Sequence, residues 1–179
     1  MASLVDSIKN IAANIQLRQL EKGKSSEPVE FNNFMKRAKE FLIILPAEKN
    51  YAEEADDIFT FLITQEKKVS VFTTIERYNF FPFRMKTQLI DFTEDEINKV
   101  GLPAKSLQTR LLKRRFDAAI DLTIERNNFL ASIIRITNAK YKIGFEKENS
   151  DSIYNVQITA DKEKPGASYA KLLSALKLF

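Results

Sequence analysis

Two short polar segments carry the side chains best suited to hold a ligand. Each follows a stretch that predicts a β-strand: residues 46–50 (PAEKN) come after FLIILP, and residues 123–127 (TIERN) come after FDAAIDLT. In open α/β sheets ligands lie beyond the carboxyl ends of the strands, where both segments would be. The candidate ligand-binding residues are Glu48, Asn50, Asp121, Thr123, Arg126 and Asn127.

The end of the strand 116–123 and the polar segment that follows it offer two kinds of recognition. Asp121, near the strand end, would orient a hydroxyl-rich ligand. Arg126 would meet a phosphate, helped by the N-terminus of the helix that follows. The alternative is that Asp121 caps local backbone and Arg126 is solvated, since a binding site needs groups that converge from several elements.

The composition excludes several classes of active site. The chain contains no histidine and no cysteine, so Ser-His-Asp triads, imidazole acid–base catalysis, thiolate metal sites and disulfides are ruled out. A phosphate-binding glycine loop is also missing, because PAEKNY follows the first strand and the four glycines stand elsewhere, at positions 23, 101, 144 and 166. We therefore expect no cofactor, no metal and no ordinary NAD, FAD or ATP chemistry.

The elements that would position these residues alternate between strand and helix patterns. Strands are predicted at residues 41–46, 67–75, 86–92, 116–123, 139–145 and 152–159. Helices are predicted at 51–65, at 93–101 with a Thr93–Glu96 capping box, at 104–115, from an Asn127 N-cap, and near the C-terminus with Ser168 as a cap. This alternation predicts an α/β fold: a Rossmann-like three-layer domain with a mostly parallel sheet.

Residues 1–30 are predicted to form an amphipathic helix and a linker ahead of the α/β domain, which spans residues 31–179. Four apolar side chains recur at helical spacing: Leu4, Ile8, Ile11 and Ile15. This stripe predicts an interface with the domain itself, with a second copy of the chain or with a partner protein. Binding to a membrane surface is the alternative, but the segment lacks the aromatic side chains typical of such helices.

Charge and hydropathy limit the classes of partner that we expect. The formal net charge is +4, and the basic residues are scattered except for a run at 113–115. That run ends a predicted helix, where cations complement the helix dipole, so we expect no nucleic-acid partner. The acidic cluster at residues 53–57 is likewise interpreted as solvated carboxylates at a helix start. No stretch approaches the roughly 18 apolar residues of a membrane span, no signal peptide is evident, and a cytoplasmic location is expected.

The segment FDAAIDLTIERNNFLASIIRITNAKYKIGF (residues 116–145) resembles the N-terminal half of family 9 glycosyltransferases, the ADP-heptose:lipopolysaccharide heptosyltransferases. The resemblance lies in a strand ending in Asp121-Leu122, a helix body at residues 131–140, and a strand ending in Ile143-Gly144-Phe145. The order of elements from Phe41 onward is also loosely similar. The resemblance implies an acceptor-binding half of a two-domain enzyme whose second half binds most of the nucleotide-sugar.

Two departures from that family pattern bear on activity. The sequence ends at Phe179, about where the first half of a family member would end, so the donor-binding half is not expected here. The family also carries a Gly-Asp pair after its first strand, whose aspartate is the expected base, and residues 46–51 (PAEKNY) lack it.

The predicted function is therefore a glycosyltransferase-like domain that binds a glycan, a nucleotide-sugar-related ligand or a partner without transferring sugar alone. No catalytic residue is predicted. One alternative is a genuine glycosyltransferase completed by a second chain or by self-association, because such an enzyme needs a base and cationic groups for the leaving diphosphate. The other alternative is a non-catalytic structural or assembly protein that uses the sheet as a scaffold.

Overall fold

A computed structural model describes residues 29–46, 53–148 and 150–179 of the chain. Its strands are β1 (Glu40–Ile44), β2 (Lys68–Phe72), β3 (Gln88–Ile90), β4 (Ala118–Asp121), β5 (Tyr141–Phe145) and β6 (Val156–Ile158). Its α-helices are α1 (Phe34–Arg37), α2 (Asp56–Thr64), α3 (Ile75–Asn79), α4 (Lys105–Leu112), α5 (Asn128–Ile136) and α6 (Pro165–Leu178). Each of the six predicted strands is present, with somewhat shorter bounds.

The six strands form one sheet in which every neighbouring pair is parallel. Their order is β3-β2-β1-β4-β5-β6, so the chain builds outward from β1 on one side and from β4 on the other. Ile44 at the end of β1 lies beside Asp121 at the end of β4. The order reverses between these two strands, and crevices at such reversals are where open α/β sheets hold ligands. The predicted α/β fold with a parallel, Rossmann-like sheet is confirmed.

Helices cover both faces of the sheet, and this explains the continuous apolar runs of the central strands. In β1, Phe41 and Ile43 pack against α1, α2 and α6, whereas Leu42 and Ile44 face the side covered by α4 and α5. Burying each such side chain contributes roughly 1.5–3 kcal/mol. The result is three layers with the sheet in the middle, which fixes where the strand ends emerge.

The helix predicted at 93–101 is wrong. That segment forms only a 3-10 turn at Glu94–Glu96, and the Thr93 side chain makes no capping hydrogen bond. The carboxylate of Glu96 instead accepts a hydrogen bond from the Arg110 guanidinium at 2.7 Å. Glu96 therefore forms an ion pair with Arg110 of α4 instead of the backbone hydrogen bond of a capping box.

A compact turn after Glu96 also opposes helix formation. The Asn98 side-chain oxygen accepts hydrogen bonds from the backbone N–H groups of Val100 and Leu102, each at 3.0 Å. Gly101 adopts a φ of 77°, a left-handed conformation that glycine tolerates without steric cost. Such local side-chain bonds compete with helical backbone bonds.

The cap predicted for the last helix is also misplaced. Helix α6 begins at Pro165 rather than at Ser168, with the proline at the first turn where its missing N–H is harmless. Ser168 lies inside that turn, and its hydroxyl accepts a hydrogen bond from the Asp161 N–H at 2.7 Å. By contrast, the predicted N-cap of α5 is confirmed, because the Asn127 side chain accepts a hydrogen bond from the Leu130 N–H at 3.1 Å.

The predicted N-terminal helix, with its apolar stripe of Leu4, Ile8, Ile11 and Ile15, lies outside the described residues. Its self-association and partner roles stay predictions. Within the described ranges, no helix is long and apolar enough to cross a membrane.

Candidate functional site

The carboxyl end of β4 holds a buried carboxylate within a dense set of hydrogen bonds. Asp121 is only 1% exposed. Its Oδ1 accepts hydrogen bonds from the Thr123 N–H at 2.9 Å and the Thr123 hydroxyl at 2.6 Å. Its Oδ2 accepts from the Lys147 ammonium at 2.8 Å and the Tyr154 hydroxyl at 2.5 Å. We call these four residues the Asp121 cluster.

Lys147 supplies the positive charge of the Asp121 cluster. Its side chain is 6% exposed, and its ammonium also donates to the Thr123 hydroxyl at 2.8 Å. The same ammonium lies 5.5 Å from the centre of the Tyr154 ring, within range of a cation–π contact. A buried charge of either sign is costly unless it is paired, so Lys147 and Asp121 depend on each other.

Tyr154 remains protonated in the Asp121 cluster. Burial raises the pKa of its hydroxyl far above the usual value, and the negative charge of Asp121 and the hydrogen bond to it raise the pKa further. The tyrosine therefore acts as a hydrogen-bond donor and is unsuited to serve as an anionic nucleophile or base.

The Tyr154 ring reaches Asp121 because β5 carries a glycine beneath it. A Cβ at Gly144 would lie 2.7 Å from Cε1 of Tyr154, which is closer than real contacts allow. The residue after Tyr154 anchors this segment to β5, because the Asn155 side-chain oxygen accepts a hydrogen bond from the Lys142 N–H at 2.7 Å. Gly144 is therefore a packing requirement of the Asp121 cluster.

A pocket of about 480 Å³ opens beside the Asp121 cluster. Its lining comes from the segment after β4 and the loop after β5, with a further lysine from the segment before α6: Ile124, Arg126, Glu146, Lys147, Glu148 and Lys162. Lys147 belongs to both features, because it lines the pocket while its ammonium is paired with Asp121. The pocket therefore lies at the carboxyl ends of β4 and β5, where α/β sheets bind ligands.

Four charged residues form the pocket rim: Arg126, Glu146, Glu148 and Lys162. All four are exposed, and they comprise two cations and two carboxylates. The Arg126 guanidinium lies 3.7 Å from the Glu148 carboxylate, and the Glu146 carboxylate accepts a hydrogen bond from the Thr159 hydroxyl at 3.1 Å. Exposed ion pairs of this kind contribute little to stability, so a ligand can exchange with them at small cost.

The structure divides the predicted ligand-binding residues among different roles. It brings Asp121 and Thr123 together, but both are buried and bonded to each other, and neither lines the pocket. Arg126 lies on the pocket rim. Asn127 has its side-chain oxygen committed to capping α5. Glu48 and Asn50 lie outside the described residues, so the predicted opposition of Glu48 and Asp121 stays a prediction.

Sequence reasoning missed five residues of this site: Glu146, Lys147, Glu148, Tyr154 and Lys162. Three of them could have been found from the sequence with a rule that was applied only to other strands. Residues 146–148 directly follow β5, so the carboxyl-end rule that selects residues 123–127 selects them too. Tyr154 falls inside the strand predicted at 152–159, but β6 begins only at Val156, so the tyrosine belongs to the connection from β5. Lys162 comes from the connection before α6, whose path the strand pattern does not determine.

Comparison with known proteins adds a family but no activity. Residues 9–179 match the model of a family described as a family of unknown function (DUF6913). No curated protein matches this chain. The family match includes the Asp121 cluster and the pocket rim, so the chemistry of these residues is the basis for any functional conclusion.

Proposed function

We propose that this chain, which belongs to the DUF6913 family of unknown function, binds a small sugar-containing ligand of the nucleotide-sugar class and does not transfer the sugar by itself. The observation that carries this proposal is the pocket at the carboxyl ends of β4 and β5 with its mixed rim of cations and carboxylates.

The chemistry of the pocket rim suits hydroxyl groups together with phosphate. The carboxylates of Glu146 and Glu148 accept hydrogen bonds from sugar hydroxyls, because ionised carboxylates offer only acceptors. Arg126 and Lys162 donate to hydroxyl or phosphate oxygens, and charge-assisted bonds of this kind are roughly twice as strong as neutral ones. A volume of about 480 Å³ is within the range of small-molecule sites.

The pocket rim carries charges of both signs, which favours a ligand that has hydroxyl groups as well as phosphates over a simple polyanion. Two carboxylates stand beside two cations, so a compact polyphosphate would meet repulsion as well as attraction. A sugar attached to a diphosphate offers hydroxyls to the carboxylates and oxygens to the cations. The resemblance of residues 116–145 to the acceptor-binding half of family 9 glycosyltransferases supports recognition of a sugar, whereas the nucleotide part of the proposal rests on the cations of the pocket rim alone.

The Asp121 cluster supports binding rather than catalysis. Both oxygens of Asp121 are occupied by donors from the protein, and Lys147 is held in an ion pair with it. Tyr154 is kept protonated by its raised pKa. Proton transfer in sugar transfer requires a base within reach of the acceptor hydroxyl, and these buried groups are committed elsewhere. Their role is to hold the loop after β5 in place beneath the ligand.

A titration of the ¹⁵N-labelled chain followed by amide NMR tests the proposal. The probes are ADP-glucose, glucose and ADP, each at millimolar concentration. We expect ADP-glucose to shift amides of residues 124–128, 146–148 and 160–164. The double variant R126A/K162A should weaken ADP-glucose binding about tenfold or more, because each lost charge-assisted bond is worth roughly 1.5–3 kcal/mol.

The control is Lys113→Ala, which should leave affinity unchanged. Lys113 is an exposed lysine in the connection that leads from α4 to the amino end of β4, whereas the pocket lies at the carboxyl ends of β4 and β5. Identical shifts with ADP and ADP-glucose would instead indicate a nucleotide site without sugar recognition. Absence of shifts, or shifts confined to other residues, would overturn the binding site. Turnover of ADP-glucose by the chain alone would contradict the non-catalytic part of the proposal.

A further inference from the structure

The connection from β2 to β3 forms a second surface. Whereas the pocket lies beside β4 and β5, this connection lies towards the β3 edge of the sheet. Large apolar side chains are exposed there: Ile75 at 44%, Phe80 at 82% and Met85 at 87%. They are three of the five exposed large apolar residues in the described part of the chain. Because all three fall within residues 75–86, they form a cluster in sequence rather than scattered exposure. We call residues 75–86 the aromatic connection.

The aromatic connection is anchored by side chains that point the other way. The ring of Phe81 packs edge-on against Phe59 of α2, with centroids 4.7 Å apart. The ring of Phe83 stacks on the same phenylalanine at 5.6 Å. Two of the phenylalanines in this segment therefore belong to the packing around α2, whereas Phe80 is excluded from that packing and is exposed.

Hydrogen bonds within the aromatic connection and to Thr87 stabilise its conformation. The Tyr78 hydroxyl donates to the Thr87 carbonyl oxygen at 2.6 Å and lies 2.9 Å from the Arg84 carbonyl oxygen. The Arg84 guanidinium donates to the Asn79 carbonyl oxygen. This bond joins the helical part of the aromatic connection to its last turn, and each of the two bonded residues is followed by an exposed apolar side chain, Phe80 and Met85.

The aromatic connection carries a small excess of positive charge. The exposed cations Arg84 and Lys86 flank Met85 in the chain, and the one acidic residue is Glu76. Arg77 is also exposed, but its guanidinium donates a hydrogen bond to the Pro46 carbonyl oxygen at 3.0 Å. Projecting apolar side chains bordered by cations complement a surface that is negatively charged outside and apolar beneath. An anionic lipid bilayer has this structure.

We propose that the aromatic connection docks the domain on an anionic bilayer, with Phe80 and Met85 entering the interface and the cations meeting lipid headgroups. A bilayer suits this surface better than a protein partner, because the two side chains project from it, and a fluid interface accepts projecting groups without a preformed complementary pocket. Two inserted side chains and a small excess of positive charge give weak, reversible binding that falls as salt concentration rises.

The chain has no tryptophan, so a single Phe80→Trp substitution provides a unique fluorescent reporter at the docking position. We expect its emission to shift to the blue with phosphatidylcholine–phosphatidylglycerol vesicles and to remain unchanged with pure phosphatidylcholine vesicles. The matched control is Leu178→Trp, since Leu178 is 86% exposed near the end of α6. That reporter should not shift with either vesicle.

Vesicle co-sedimentation of the full chain gives the affinity. The double variant F80S/M85S should bind anionic vesicles about tenfold or more weakly than the wild type, because each buried apolar side chain contributes appreciably to partitioning. L178S should bind like the wild type, and K86E should bind a few-fold more weakly. All of these positions are exposed, so near-wild-type denaturation curves are expected and would verify the fold.

Three results would overturn the proposal. Undiminished vesicle binding by F80S/M85S would place the contact elsewhere on the chain. Absence of binding to anionic vesicles would remove the lipid partner. A blue shift of the Phe80→Trp reporter with an acidic amphipathic peptide, without one for vesicles, would assign the surface to a protein partner instead.

Discussion

The Asp121 cluster and the pocket rim contain the same kinds of charged group a few residues apart, yet they serve different purposes. In the cluster, the Asp121–Lys147 pair is almost completely buried, and every oxygen of the carboxylate has a donor. On the rim, the Arg126–Glu148 pair is longer, at 3.7 Å, and the glutamate is largely exposed. The buried Asp121–Lys147 pair therefore supports the fold, whereas the exposed Arg126–Glu148 pair can contact a ligand.

The largest expected effect comes from breaking the buried pair. Lys147→Ala leaves the Asp121 charge buried without its cation, which should lower the free energy of unfolding by about 3–5 kcal/mol. The matched control, Lys162→Ala, removes a lysine from the exposed rim and should change the same quantity by about 0.5 kcal/mol or less. Urea denaturation followed by circular dichroism measures both.

If Lys147→Ala does not fold, the double variant D121N/K147M keeps the test decisive. Replacing both partners removes the uncompensated charge, so the double variant should be more stable than Lys147→Ala alone. Equal losses for Lys147→Ala and Lys162→Ala would show that burial does not distinguish the two regions.

A smaller effect is expected when the support beneath Tyr154 is changed. Gly144→Ala places a methyl group 2.7 Å from the tyrosine ring and should destabilise the domain by about 1–3 kcal/mol, as overpacking does. The control is Gly166→Ala in α6, where a Cβ would meet only the flexible end of the Glu54 side chain, at 2.9 Å. Alanine should be neutral there or stabilise the helix by about 0.5–1 kcal/mol. Thermal unfolding of the two variants would contradict the packing account if they behaved alike.

The smallest effect concerns a third carboxylate, that of Asp56 at the start of α2. Partial burial raises its pKa, and the nearby charges of Glu53 and Asp57 raise the pKa further. Its Oδ1 is buried and has no hydrogen-bond partner among the described residues. Because the folded state favours the protonated form, ionised Asp56 opposes folding at neutral pH, and this cost disappears as pH falls through the raised pKa.

The free energy of unfolding of the wild type should therefore rise relative to that of Asp56→Asn as pH is lowered from 7 towards 4. Asp57→Asn makes the same change in net charge at an exposed neighbouring position. Denaturation curves across this pH range that changed equally for both variants would contradict burial as the cause.

The fold was more predictable from sequence than the site because strands and helices leave periodic patterns. The alternation of strand and helix patterns predicted a mostly parallel sheet, and Asn127 predicted the start of α5. The failures arose where two interactions compete for one side chain. Glu96 fits a capping box in sequence but binds Arg110 in three dimensions, and no local pattern reveals that pairing.

The Asp121 cluster shows a further limit of sequence interpretation. Asp121 and Thr123 are two residues apart, and their association was accessible from the strand end. Lys147 and Tyr154 join them from 26 and 33 residues further along the chain. The carboxyl-end rule selects Lys147 as a residue of this region but does not reveal its pairing with Asp121. Tyr154 was assigned to a predicted strand at 152–159, whereas β6 begins at Val156 and leaves the tyrosine in the connection. In sequence, Asp121 therefore appeared able to bind a ligand, whereas in the folded chain Thr123, Lys147 and Tyr154 already donate hydrogen bonds to both of its carboxylate oxygens.

The brevity of the outermost strands has a consequence for how copies of this protein can associate. Both edge strands, β3 and β6, are only three residues long, so each sheet edge offers few unpaired backbone groups to another chain. Short edges protect natural β-sheets from edge-to-edge aggregation. An extended sheet running through two molecules is therefore disfavoured, and any oligomer of this chain should be joined through side-chain surfaces instead.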